Sequence, residues 1–209
     1  MGEREEERIT FMILLSDKGQ KEGQHTTKER WWKENGIEVL KVPLPVGDYV
    51  LVNDKVQDVL DRKAARKMDV KKMDFLGSYS VAVDTKKNIQ ELIMDICGKQ
   101  HGRFRDEAIL AQNNGIKLYV LVENEQIMIN RSRNIFSPYI GNLDKLNKFV
   151  NPRLFMWQSG KQKYPNATRG VTLMKACITM QEKYGCEFVF CHELEAGRKV
   201  IELLTKGVE

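Results

Sequence analysis

The chain has 209 residues, a 42% hydrophobic fraction, 30% charged residues and a formal net charge of +5. That is enough for one α/β domain with a good core, and it excludes a disordered or fibrous chain. No apolar run approaches the length that spans a bilayer, and the start, Gly2–Arg8, is too charged for a signal peptide, so a soluble, cytoplasmic protein with no membrane partner is expected.

Strands and helices alternate along the chain. Ile13 to Ser16 reads as a central strand, and Thr26-Thr27-Lys28-Glu29 has capping-box spacing and opens a helix that ends near Asn35-Gly36. Trp31 and Trp32 are adjacent on that helix, so one should pack in the core and the other stay half-exposed. Strands follow at Ile37–Val42 and Asp48–Val52. A charged insertion runs from Val52 to Ser80 and suggests an added lobe. Ser80–Val83 is the next strand, a helix starts at Asn88, and Ala108–Asn114 continues it to Gly115. Lys117–Glu123 is a core strand, Arg131–Gly160 has a weak pattern, and Thr172–Tyr184, Phe188–Phe190 and Glu193–Thr205 read as helix, strand and closing helix. The division expected is a core over 11–125, with the insertion at about 52–80, and an extension over 126–209 packing on it within the same domain.

The chemistry concentrates at two strand ends, Gly47-Asp48-Tyr49 and Val81-Ala82-Val83-Asp84-Thr85-Lys86. Alternate residues of a strand share a face, so Asp84 and Lys86 point the same way and Val83 and Thr85 the other. If Asp48 comes alongside Asp84, two hard oxygen ligands can hold Mg²⁺ with positions left for water and a phosphate oxygen, and the lysine can favour hydroxide. Hydrolysis of a phosphodiester is the reaction such a site suits. Asp61-Arg62-Lys63 competes for the role, but the residues after it are strong helix formers with little strand pattern before them.

These segments, in order, resemble the nuclease domain of the XPF family of flap and junction endonucleases, most closely its short phage and prophage members. The resemblance rests on Phe11–Asp17, Leu44-Pro45-Val46-Gly47-Asp48-Tyr49, Val83–Lys86, His101-Gly102-Arg103-Phe104 and Leu118–Glu123, with the tail from Tyr164 to Leu204 also similar. It implies a restriction-endonuclease-like core of the PD-(D/E)xK superfamily, with a mixed central β-sheet flanked by helices. It also implies Mg²⁺ or Mn²⁺ dependence and a branched or flapped DNA substrate, and it allows a homodimer. The catalytic set it implies is Asp48, Asp84, Lys86 and Arg103, with Asp48, Asp84 and Asp17 as metal ligands, Glu22 standing behind Asp17, and the lysine and bound water supplying the base. Departures are Thr85 where the family has Arg, and Gln90, with Glu91 beside it, where an acid is expected four residues after the lysine.

Lys99, Arg103 and Arg105, with Lys161, Lys163 and Arg169 of a polar loop, are the expected DNA contacts, because forked guanidinium donors and lysine charge suit phosphates. The aromatics between Phe136 and Trp157 suit either base stacking or a layer over the sheet. His101 suits acid–base work, a phosphate contact or a structural role. Cys97, Cys177, Cys186 and Cys191 lack paired spacing and read as reduced thiols. A Mg²⁺-dependent endonuclease leads, ahead of a catalytically impaired DNA-binding module of the same fold and a non-nuclease α/β protein.

Overall fold

Residues 12–20, 23 and 25–206 are described in the computed structural model. β1 (Ile13–Asp17) buries adjacent Leu14 and Leu15 on opposite faces, the pattern of a strand covered on both sides. It crosses through α1 (Thr26–Glu34) to parallel β2 (Glu38–Val42), while β3 (Tyr49–Leu51) returns antiparallel on the other side. β4 (Val81–Lys86) pairs antiparallel with β3 and parallel with β5 (Lys117–Glu123). The extension supplies hairpins β6 (Ile127–Asn130)/β7 (Ile135–Ser137) and β8 (Trp157–Gln158)/β9 (Lys161–Gln162). It also supplies β10 (Glu187–Cys191), parallel to β5. The mixed six-stranded sheet has the order β10-β5-β4-β3-β1-β2, as expected for this fold class.

Two apolar layers cover it. Ala82, Val120 and Val122 face α3 (Ile89–Ile96), α4 (His101–Asn113) and α5 (Gly170–Tyr184), through Leu92, Phe104 and Leu173 among others. Val81, Val83 and Leu121 face α1 and α6 (Ala196–Thr205), through Trp32, Val200 and Leu203. Trp32 is buried and donates its indole N–H to the Gly197 carbonyl, while Trp31 is half-buried. The extension therefore adds an edge strand and helices on both faces.

The insertion is no separate lobe. α2 (Asp54–Ala65) buries Val56 and Val59, and Phe75 and Tyr79 join the same core. Asp61 lies on that helix, bonded to Gln57 in solvent, which removes Asp61-Arg62-Lys63 from strand geometry. Three local expectations shift. His25 holds the N-cap position of α1, so Thr26 begins the helix instead of capping it, and the Thr27 hydroxyl donates to Glu193 at 2.9 Å. The helix from Asn88 breaks between α3 and α4 at Gly98, where a side chain would meet the Met94 carbonyl at 2.7 Å. The closing helix begins with a 3₁₀ turn, Glu193–Glu195, before α6. The four cysteines are free, with Cys97 exposed and the others buried. No helix among the described residues is long and apolar enough to cross a membrane.

Candidate active site at the sheet edge

Gly47 sets the geometry. Its φ of +74° is a left-handed conformation, and a Cβ there would meet the Ala82 Cβ at 2.8 Å and the Val83 carbonyl at 3.2 Å, so only glycine lets this turn lie against β4. The next residue is consequently clamped between two strands. The Asp48 N–H donates to the Val83 carbonyl and its carbonyl accepts from the Asp17 N–H, both at 2.8 Å. Asp48 Oδ2 accepts from the Thr85 N–H at 2.8 Å and the Thr85 hydroxyl at 2.7 Å. The threonine at the family's Arg position thus orients the first acid.

Asp84 and Lys86 share a face, as their spacing demands, and both are almost fully buried. Lys86 Nζ stands 2.7 Å from Asp84 Oδ2 and 2.6 Å from Asp95 Oδ2, with the Phe104 ring 5.6 Å away. Asp84 Oδ2 takes part in that ion pair but accepts no aligned hydrogen bond. Asp84 and Asp48 open with Asp17 and Arg103 onto one cleft of about 330 Å³, lined also by Lys72, Asp106 and Glu107. Arg103 is exposed on the first turn of α4. One turn on, Glu107 accepts the Gly47 N–H at 2.8 Å.

The charges there are unbalanced. Burial pushes the Asp84 carboxyl well above its ordinary range against the pull of Lys86, and Asp48 and Glu107 push it further. Burial also raises Glu107, with the Gly47 N–H opposing and Asp48 adding to the rise. Burial alone would lower the Lys86 ammonium, but Asp84 and Asp95 hold it well above the usual lysine range. Its two carboxylate partners hold Lys86 as an ammonium.

The chain matches the ERCC4 domain family over residues 20–204. It belongs to the ERCC4 domain family. Among solved structures, XPF from Aeropyrum pernix aligns with a TM-score of 0.51 at 13% identity, covering 94% of this chain and 65% of that one. The same protein in complex with DNA aligns with a TM-score of 0.46, also at 13% identity, over 94% of this chain and 64% of that one. The chain thus spans slightly less than two thirds of those structures' length. No curated protein matches it.

In this ERCC4 domain four of the expected residues, Asp17, Asp48, Asp84 and Arg103, meet in one cleft with Lys86 behind it. Asp17 uses one oxygen on the Leu44 N–H at 2.8 Å and the other on the Gly19 N–H at 3.1 Å, so it braces its own loop as well as facing the cleft. Glu22 lies outside the described residues. Gln90 is drawn away to Asn151, and Glu91 accepts the Lys87 N–H. The second carboxylate on Lys86 comes instead from Asp95.

Among the described residues no group of three or more His, Cys, Asp or Glu side chains is placed to hold a metal ion by itself. The donor set nevertheless fits a hard divalent cation that keeps most of its water, since Asp48 and Asp84 present carboxylate oxygens to one cleft. Of the expected DNA contacts, Lys99, Lys161, Lys163 and Arg169 are exposed, while Arg105 pairs with Asp106 at 2.9 Å. His101 starts α4 outside the cleft lining.

Three contributors escaped the sequence reading. Asp95 lies three residues after Leu92, an acid on the apolar face of α3, and Glu107 lies four after Arg103 on one face of α4; both spacings were readable. Thr85 carried no such signal.

Proposed function

We propose that this chain is a divalent-metal-dependent endonuclease, using Mg²⁺ or Mn²⁺, that hydrolyses phosphodiester bonds in branched or flapped DNA. It is a phage or prophage enzyme acting on recombination or replication intermediates in the bacterial cytoplasm. One observation carries the reading: the carboxylates of Asp48 and Asp84 and the Arg103 guanidinium line one cleft, with the Lys86 ammonium directly behind Asp84. Asp48 and Asp84, with Asp17 or Glu107, would hold the cation. When bound, it supplies Lewis-acid polarisation and an acidified water.

The chain's own groups do the rest. Thr85 locks the Asp48 carboxylate in one orientation, so a ligand arrives without reorganisation. Lys86, shared between Asp84 and Asp95, keeps positive charge next to the acidic pair where the reacting phosphate gathers negative charge. Arg103, exposed at the cleft mouth, offers a forked donor to a phosphate.

A DNA-binding module without cleavage is the second reading, favoured by the loop-bracing role of the Asp17 carboxylate and by Gln90 in place of an acid. Labelled flap, fork, four-way-junction and linear duplexes incubated with Mg²⁺, Mn²⁺ or chelator separate the two. Metal-dependent cutting of branched forms supports the nuclease. Binding that leaves every form intact assigns the module.

A further inference from the structure

The net positive charge of the chain is not spread evenly. From Lys145 to Gln181 the sequence contains Lys145, Lys148, Arg153, Lys161, Lys163, Arg169 and Lys175 and neither Asp nor Glu. Without those seven, the 29 acids outnumber what remains of the 34 Lys and Arg. The attraction for a polyanion is therefore concentrated in this part of the extension.

The same stretch displays an aromatic ring. Trp157 is 68% exposed, the most exposed large apolar side chain among the described residues, whereas Trp32 is fully buried. It sits on hairpin β8–β9, whose two-residue turn uses φ of +51° at Ser159 and +73° at Gly160, the tight form that matches strand twist. Trp157 pairs in register with Gln162; Lys161 precedes that position on the returning strand and Lys163 follows the strand's end, each one residue away. Next to it the Tyr164 ring lies 5.6 Å from the Arg153 guanidinium and 5.5 Å from the Lys163 ammonium, which holds both cations close to the hairpin. Arg153, Lys163 and Tyr164 share a groove with Cys97 and Gly98 at the end of α3. From Gly98 the chain runs through Lys99 to Arg103 at the cleft mouth. Lys99 and Arg103, both exposed, thus lie along the chain segment between that groove and the cleft.

We propose that hairpin β8–β9 is a stacking platform for single-stranded DNA, with Trp157 stacking an unpaired base and Arg153, Lys161 and Lys163 holding the backbone that leaves the cleft. This rests on the nuclease reading and adds the part of the substrate the extension engages, the unpaired arm of a branch. A solvent-facing ring costs apolar exposure unless something covers it, and every base has a face that can. The surrounding acid-free charge selects a polyanion over a second copy of the chain, whose matching surface would be equally basic.

The test is a fluorescence titration of Asp84→Asn protein with oligo(dT), in which cleavage cannot interfere. Saturable quenching is expected, and it should vanish in a Trp157→Phe background that still binds. Trp157→Ala should weaken oligo(dT) about 5- to 150-fold while duplex binding changes little. Lys161→Ala with Lys163→Ala should flatten the salt dependence for every DNA form. A melt checks that the exposed positions leave folding intact. Saturable binding without quenching, wild-type affinity in Trp157→Ala, or an emission change that follows protein concentration rather than oligo(dT) overturns the proposal. Quenching by a wild-type protein that cuts no branched DNA sinks the nuclease reading alone. Cleavage without a Trp157 signal sinks the stacking platform alone.

Discussion

Two buried lysines lie on opposite faces of one sheet and serve different ends. Lys28 of α1 meets Glu123 at the end of β5, one charge against one, beneath the α1 and α6 layer. Lys86 of β4 meets two carboxylates, Asp84 and Asp95, with Asp48 and Glu107 close enough to raise Asp84 further. The first is a one-to-one pair, although Glu123 also lines a cavity of about 300 Å³ beside Lys87 and Glu193. The second group carries surplus negative charge and faces a cleft, so it is finished only by a ligand. Burial of charge alone does not mark function; burial with an unbalanced count does.

The difference can be broken from the functional side first. Asp84→Asn should abolish cleavage of a branched substrate, a loss of several orders of magnitude on the scale of a lost catalytic group, while its melting temperature stays near wild type because the change also removes repulsion from Asp48 and Glu107. Product formation in Mg²⁺ beside a thermal melt reads both, and undiminished cleavage would remove Asp84 from the reaction.

The structural pair should answer in the opposite sense. Lys28→Met leaves Glu123 buried without its partner and should cost about 3–5 kcal/mol of stability, with cleavage per folded molecule unchanged. Replacing both residues with apolar ones should recover most of the loss. Denaturant unfolding with an activity normalised to folded protein checks it; a catalytic defect in the stable double variant would give the pair a role at the cleft.

Metal should sharpen the contrast through pH. Asp84 and Glu107 are raised above the ordinary carboxylate range, chiefly by burial, so ionising them costs the folded state more as pH climbs from that range towards neutrality. A divalent cation offsets that cost. The gain in melting temperature from Mn²⁺ should therefore grow between pH 5 and pH 8, and Asp84→Asn should lose most of it. A gain that is flat with pH would mean the cation binds elsewhere.

Arg103→Lys is the finest probe. It keeps the charge and loses the fork, and a charge-assisted hydrogen bond of roughly 1.5–3 kcal/mol corresponds to a fall of about 10- to 150-fold in cleavage rate. Single-turnover rates and binding at several salt concentrations separate this from weaker binding. A wild-type rate would leave Arg103 as a surface charge.

What one strand or helix controls was legible in the residues. The period of two put Asp84 and Lys86 on one face, and helix propensity sent Asp61 onto α2. The order of strands and helices likewise implied the layered sheet. What pairs across layers was not legible, because a periodicity says which way a side chain points and not what stands opposite. Asp95 reaches Lys86 only because α3 docks on β4, and α3 ends where Gly98 closes on Met94. Glu107 reaches Gly47 across 60 positions, and Lys28 reaches Glu123 across 95. Those distances in sequence are closed by burial of the two apolar layers, whose gain in free energy exceeds the cost of setting each carboxylate beside its partner.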